Sequence, residues 1–315
     1  MTTSTGLVSP RSGGPEPVVV TAGDGVRQVL APVLESAAAG EYRHLTLRMP
    51  GVAALSAPGQ FAALAVGGPT SGLLLRRAFS IHRVTAGATA EGDTLEIVVA
   101  DAGPGTRWIT ERRAGDVVDA LAPLGRGFPV PVKPGGAAVL VGGGYGSAPL
   151  FWLAESLRAA GTAAHVVLGA ATRNRLYGSE FDESVDSLTV TTDDGSAGTR
   201  GMVTAVLPDV LEATGAHTVY ACGPMGMLRA VTGLAAGRGC TAYVAVEEAM
   251  ACGVGVCMTC VLPVADADGV TAMRRACVDG PVLDGSRLRW EAIADGRVSV
   301  PDDAVGAPRH TDGRP

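Results

Sequence analysis

Aromatic side chains and charge are both scarce in this sequence: Phe, Trp and Tyr make up 4% of it, and Asp, Glu, Lys and Arg together 18%. Acidic groups exceed basic ones, for a formal net charge of −6, which argues against nucleic acid or an anionic membrane as the main partner. No uninterrupted apolar run reaches the roughly 18 residues of a membrane-spanning helix. The opening stretch MTTSTGLVSPRSGGPEP lacks a basic region followed by an apolar one, so no secretory signal is expected in it. His44, His82, His165, His217 and His310 show no paired spacing and read as surface or satisfied core residues. No Ser-His-Asp set or pair of catalytic carboxylates is indicated. By contrast, 47% of the residues are hydrophobic and 44 of the 315 are glycine, enough for two or three domains with many tight turns.

Cysteine is sparse as well, with six in all, yet four of them form one pattern: Cys252, Cys257, Cys260 and, further on, Cys277. The C-x4-C-x2-C…C spacing is that of four thiolates around a [2Fe–2S] cluster. Thiolates also suit zinc, but structural zinc sites usually carry paired short hairpins. Here three ligands crowd one loop and the fourth stands apart, which fits a cluster better. Gly253 and Gly255 let that loop turn tightly and bring backbone N–H groups towards the sulfurs. A cluster and the absence of a secretory signal together predict a reducing, cytoplasmic setting without disulfides.

In chain order, residues 1–16 read as a disordered tail. Residues 17–133 are dominated by short runs rich in β-formers: VVVTAG, YRHLTLRM, GQFAALAV, LLLRRAFSIHRV, TLEIVVAD and DVVDAL. They predict an antiparallel Greek-key β-barrel, with a helix at Thr106–Arg113 and an exposed hairpin loop at Thr85–Asp93. At Lys133-Pro134-Gly135-Gly136 the pattern changes. Over 134–246, strands AAVLV, AAHVVLGA, SLTVTTDD, HTVYAC and TAYVAV alternate with helices, which predicts a doubly wound parallel α/β domain. The helices fall after Ser147, near Tyr177–Asp182, near Val203–Glu212 and at Pro224–Arg238. In the first, Leu150, Leu153, Ala154 and Leu157 make one apolar stripe, Ser147 is the expected N-cap and Pro149 suits the first turn. Residues 247–300 form a small cluster-binding subdomain with strands near Met258–Pro263 and Ala272–Val278. Residues 301–315 read as a flexible tail.

Three further constellations carry chemistry. Arg77-Ala78-Phe79-Ser80 with Gly103-Pro104-Gly105-Thr106 offers a cation, an aromatic edge, a hydroxyl and a close backbone approach at a helix start, all suited to a flavin and its pyrophosphate. The glycine turn holding Gly142, Gly143, Gly144 and Gly146 joins a strand to a helix and can receive a dinucleotide's phosphates, although it departs from strict G-x-G-x-x-G. Cys222-Gly223-Pro224 closes a later parallel strand, where Gly223 would let a nicotinamide ring approach and Cys222 would pack beside it. Asp193-Asp194-Gly195-Ser196 is a turn on that same edge. Cys240 reads as core packing.

Across these motifs the chain resembles the electron-transfer subunits of class 1B dihydroorotate dehydrogenases, within the ferredoxin–NADP reductase superfamily. The resemblance runs through Pro58-Gly59-Gln60-Phe61, Arg77 to Ser80, Gly103-x-Gly105-Thr106, Leu121 to Phe128, Gly142 to Gly146, Thr192 to Ser196, Cys222-Gly223-Pro224, Met250-Ala251-Cys252-Gly253 and Cys277 to Val282. It implies FAD in the barrel, held by Arg77, Ala78, Phe79, Ser80, Gly105 and Thr106 and by the backbone of Val98, Val99 and Ala100. It implies a [2Fe–2S] cluster on Cys252, Cys257, Cys260 and Cys277, and NAD at the glycine turn and Cys222-Gly223-Pro224. It further implies a partner subunit carrying FMN that oxidises dihydroorotate in pyrimidine biosynthesis, two copies of each chain assembling together. Electrons would then pass from FMN through the cluster and FAD to NAD+. Ala78 stands where the family usually has Pro, which would only stiffen the strand. Arg173 and Arg175 follow the second parallel strand and could meet a 2′-phosphate, so NADP stays open beside NAD. Two other readings stand beside this one: a related NAD(P)H:ferredoxin-type reductase serving another catalytic chain, and a non-enzymatic, zinc-stabilised nucleotide sensor.

Overall fold

The computed structural model describes residues 18–21, 25–68, 70–130, 135–178, 185–294 and 296–306. Its first part is built of β1 (Val18–Thr21), β2 (Arg27–Ala39), β3 (Tyr42–Arg48), β4 (Phe61–Leu64), β5 (Arg77–Thr85), β6 (Thr94–Ala100) and β7 (Val117–Leu124). They lie in the order β1-β2-β3-β6-β5-β4-β7, and β2 also pairs with β7. Strands β2 to β7 thus close a barrel on which β1 is an added edge. The step from β3 across to β6 is the Greek-key crossover.

The barrel strand absent from the sequence reading is β2, which holds the barrel shut. Its composition hides it: RQVLAPVLESAAA is rich in alanine and contains a proline, both poor strand formers. Tertiary partners decide its conformation. Arg27 to Pro32 pair with β7, then a bulge between Val33 and Glu35 bends the strand, and Glu35 to Ala39 pair with β3. Helix α1 (Pro104–Thr110) follows β6 and begins two residues ahead of the predicted Thr106.

The second part contains β8 (Ala137–Gly143), α2 (Ala148–Ala159), β9 (Ala163–Ala170), β10 (Ser187–Thr192), β11 (Thr199–Arg200), α3 (Val203–Thr214), β12 (Thr218–Cys222), α4 (Met225–Ala236) and β13 (Thr241–Ala245). These strands are parallel in the order β11-β10-β9-β8-β12-β13. The chain departs in opposite directions on either side of β8, so the crevice between β8 and β12 is the topological switch point where such sheets bind ligands. The predicted stripe Leu150, Leu153, Ala154 and Leu157 on α2 is fully buried. Ser147 occupies the N-cap position without capping; its hydroxyl donates to the carbonyls of Gly144 and Tyr177. Of the helix expected near Tyr177–Asp182, Tyr177 and Gly178 are non-helical and the rest lies outside the described residues, as do residues 1–16.

The last part is a hairpin of β14 (Val261–Ala265) and β15 (Thr271–Arg275), followed by β16 (Val282–Asp284). Strand β16 runs antiparallel to β13 and becomes the far edge of the α/β sheet. The residues just before it tie all three parts together: Pro281 bridges Arg126 beyond the barrel, and its carbonyl accepts from Val246 N at 3.0 Å. Gly59, with φ of 93°, belongs to the same junction, since a Cβ there would lie 2.6 Å from Phe128 and 2.9 Å from Val282. Residues 301–306 lie against β15, with Val305 N donating to Thr271 O at 2.8 Å; residues 307–315 lie outside the described residues.

Candidate cofactor-binding site

Two clefts meet where the barrel faces the carboxyl edge of the α/β sheet. The barrel cleft, of about 390 Å³, is lined by Phe61 and by Ala78, Phe79 and Ser80 from β5; Ala78 and Ser80 are exposed towards it, whereas Phe79 is buried and packs into the barrel core, so the expected aromatic contact falls to Phe61. Val98 and Ala100 of β6 form one wall, and the other is formed by Gly146, Ala148 and the segment Val246–Met250. Val99 points the opposite way, into the barrel core, and is not among the residues that line this cleft. Gly105 lies buried under Arg77: a Cβ there would stand 2.8 Å from Arg77 Nε, so only glycine lets the guanidinium rest on that backbone. Arg77 Nη1 donates to Leu75 O at 2.7 Å. The Thr106 hydroxyl accepts from the N–H groups of Ala102 and Gly103, so it holds the loop in shape. Phe61 at the floor, a cation that meets no carboxylate among the described residues and the small exposed side chains of Ala78 and Ser80 fit a flavin nucleotide.

The sheet-edge cleft, of about 680 Å³, opens at the switch point between Gly143, Gly144 and Pro224, with Gly169, Met227 and Asp193 further along it. Gly142 and Gly146 act beneath it. A Cβ on Gly142 would lie 2.9 Å from Ser147 Cα, and one on Gly146 would lie 2.7 Å from both Cys222 O and Gly223 Cα. The glycine turn and the Cys222-Gly223-Pro224 loop therefore touch backbone to backbone, which fits a dinucleotide threaded between them. Cys222 itself is buried, and that burial, with Glu247 nearby, pushes its thiol well above the usual range. Of the two arginines after β9, Arg173 is engaged by Ser196, to whose carbonyl its side chain donates twice. Arg175 lines the cleft, but its Nε is 3.2 Å from Glu41 Oε2.

Sequence reasoning missed the partition between the clefts, which is Tyr145 and Glu247; both residues line both spaces. The Tyr145 hydroxyl donates to Glu247 Oε2 at 3.3 Å. Burial raises the Glu247 carboxyl, and burial followed by the adjoining carboxylate pushes Tyr145 up to about 12. The available signal was the position of Glu247, two residues past β13 at the ligand edge of the sheet.

The cysteine loop lies directly against the barrel. A Cβ on Gly253 would be 3.5 Å from Phe61 Cε2 and 3.5 Å from Leu124 Cδ1, while Met250 lines the barrel cleft. Gly253, Gly255 and Met258 all take positive φ, 73°, 80° and 58°, which curls the chain so that N–H groups point inward. Val254 N donates to Cys252 Sγ at 3.5 Å and Cys277 N to Cys260 Sγ at 3.4 Å, and the Thr259 hydroxyl reaches Cys257 Sγ at 3.2 Å. Burial acts to raise the Cys252 thiol, but the N–H groups of Cys257 and Val254 outweigh it and bring it down to about 6. Burial and the adjacent Cys260 push Cys277 up to about 12. Sulfurs that accept N–H and O–H donors at and beside a left-handed loop fit a thiolate-held iron–sulfur cluster.

Comparison with known proteins agrees with this geometry. Residues 247–289 match the model of the iron-sulfur cluster binding domain of dihydroorotate dehydrogenase B. The chain is 40% identical over 243 residues to the dihydroorotate dehydrogenase B (NAD(+)), electron transfer subunit, of Geobacillus thermodenitrificans, covering 76% of this chain and 89% of that one. It is 33% identical to the corresponding subunit of Desulforamulus reducens, covering 77% and 90%. Among solved structures, an NADH-dependent reduced ferredoxin-NADP oxidoreductase, studied for flavin-based electron bifurcation, superposes with a TM-score of 0.72 at 30% identity over 83% of this chain and 90% of that chain.

Proposed function

This chain belongs to the electron transfer subunits of dihydroorotate dehydrogenase B, and from that premise we propose how its residues carry electrons to NAD+. The observation that supports the route best is the seat of the cysteine loop: Gly253 rests on Phe61, and Phe61 floors the barrel cleft. When bound, the cluster supplies single-electron exchange, nicotinamide exchanges a hydride, and FAD converts between the two.

Cys252, Cys257, Cys260 and Cys277 hold the cluster. Arg77, seated over Gly105, would supply the cation for the FAD phosphates, and Ala78, Phe79, Ser80, Val98 and Ala100 would line the rest of the nucleotide's cleft. Thr106 shapes the loop beside it. Gly142, Gly143, Gly144 and Gly146 with Cys222, Gly223 and Pro224 receive NAD, and Tyr145 and Glu247 separate the two nucleotides. The ties of Arg173 to Ser196 and of Arg175 to Glu41, with Asp193 in the cleft, favour NAD over a 2′-phosphorylated dinucleotide. Arg77→Ala should lower FAD retention about tenfold or more, the scale of one lost charge-assisted pairing, read as flavin absorbance surviving gel filtration.

The partner is a catalytic subunit that contains FMN and oxidises dihydroorotate in pyrimidine biosynthesis, two copies of each chain forming the assembly. Val254, Val256, Met258 and Val278 are exposed around Cys257 and form the apolar surface on which it docks. Free cysteines, one of them exposed, suit a reducing cytoplasm, and no helix among the described residues is long and apolar enough to cross a membrane. Family membership makes the chain an oxidoreductase component and sets aside the zinc-stabilised sensor. The test is anaerobic addition of dihydroorotate to the co-expressed complex: bleaching of flavin and cluster absorbance, followed by NADH formation on adding NAD+, is expected. A chain that purifies without iron or flavin, or that never associates with a dihydroorotate-oxidising flavoprotein, would defeat the reading.

A further inference from the structure

The outer face of the barrel beneath α2 carries a second constellation, unrelated to the cysteines. His44 on β3, His82 on β5 and Glu96 on β6 each offer one ligand atom within 4.8 Å of the other two. Their sequence separation concealed this, and the strand pairing produces it. Thr46 lies opposite Glu96 and His44 opposite Val98, so His44 and Glu96 are diagonal neighbours on one face. His82 falls at a bulge: β5 pairs with β6 at Ile81 and again at Arg83, leaving His82 as the extra residue between. Bulges re-aim a side chain, and this one turns the His82 imidazole under α2.

The hydrogen bonds define which nitrogen is available. His82 Nδ1 is 2.7 Å from the Ala148 carbonyl, an oxygen that can only accept, so Nδ1 carries the proton and Nε2 keeps its lone pair. A backbone carbonyl on the far nitrogen is how proteins orient an imidazole towards a metal. His44 Nε2 stands 3.0 Å from Glu96 Oε2. That is a hydrogen-bond contact; two ligand atoms each about 2.1 Å from one tetrahedral ion are separated by about 3.4 Å, so the pair has to open by only about 0.4 Å to admit one. The rings of His44 and His82 meet edge to face at 5.0 Å. His82 is 4% exposed, whereas the His44 and Glu96 side chains keep 27% and 16% of their surface, so an ion can enter from the solvent side. Arg83 is the nearby cation, and its charge is paired with Glu155.

We infer that His44, His82 and Glu96 form a binding site for a divalent transition-metal ion that ties β3, β5 and β6 together under α2. Two imidazoles and a carboxylate suit zinc and its neighbours rather than calcium or magnesium. Three protein ligands leave one position for water.

Zn2+ titrated calorimetrically into the FAD- and cluster-loaded protein is expected to bind as a single equivalent and to raise the melting temperature. X-ray absorption at the zinc edge should show nitrogen and oxygen at about 2.0–2.1 Å and no sulfur shell at about 2.3 Å. His44→Gln and Glu96→Gln should each lower zinc affinity at least about tenfold. Both lie on the solvent side, and retained flavin absorbance will verify that the variants are folded. His82→Gln should do the same, but its buried setting makes the other two decisive. Absence of a bound equivalent, a sulfur shell, or unchanged affinity in both His44→Gln and Glu96→Gln would overturn the assignment.

Discussion

Cys257→Ser is expected to cut NAD+ reduction by the assembled complex by more than the roughly 10–100-fold typical of changes around a metal ligand, because it removes a ligand itself. Cys257 is exposed on the cysteine loop, and its sulfur accepts only from the Thr259 hydroxyl among the hydrogen bonds described. A serine oxygen is a harder, less polarisable donor than a thiolate and a poor match for cluster iron. The barrel cleft does not depend on this side chain: its floor is β5 and Phe61, and Gly253 rather than Cys257 touches that floor. The variant should therefore keep its FAD and still reduce a dye with NADH. Oxidation of dihydroorotate on the partner, followed with an artificial acceptor, should also persist. The visible spectrum would lose its iron–sulfur contribution while the flavin bands stay. Undiminished NADH formation from dihydroorotate in this variant would show that electrons do not pass by these cysteines.

The second large effect is expected from Gly146→Ala. One added methyl group would lie 2.7 Å from Cys222 O, 2.7 Å from Gly223 Cα and 2.8 Å from Cys222 C, all of them backbone atoms at the end of β12. No rotamer change relieves such a contact. Gly223 cannot withdraw either, because the space where its own Cβ would be lies 3.1 Å from Gly143 Cα and 2.8 Å from Met227 Cε. The two loops that bracket the switch point must part, at a cost of roughly 1–3 kcal/mol for overpacking a filled site. The KM for NADH in a dye-linked assay should rise at least about tenfold, equivalent to about 1.4 kcal/mol, and the melting temperature should fall. Gly72→Ala is the matched control, since a Cβ at Gly72 meets nothing within 4 Å. Wild-type KM and melting temperature in Gly146→Ala would mean that the close approach of these loops has no bearing on nucleotide binding.

Much of the fold was legible because local pattern and tertiary need coincide. In β6 the period-2 run TLEIVVA puts Leu95, Ile97 and Val99 in the barrel core, and in α2 the stripe from Leu150 to Leu157 is buried as its spacing requires. The cysteine spacing stood out for a related reason: three ligands on one short loop leave their signature in consecutive residues. Strand β2 stayed hidden because its alanines and its proline express no strand preference, and its pairings with β3 and β7 impose one. Strand β16 was missed because three residues are too short to show a period.

Sequence by itself determined the chemistry this chain can hold: four thiolates at cluster spacing, an arginine before an aromatic on a strand, and glycines where backbone must meet backbone. Those are properties of residue type and of neighbours along the chain. Only the tertiary structure decided what stands beside what: the cysteine loop on Phe61, Tyr145 and Glu247 between two clefts, and His44 and His82 brought to one face with Glu96. Strand pairing and interdomain packing join residues far apart in the chain, and spacing along the sequence carries no record of that.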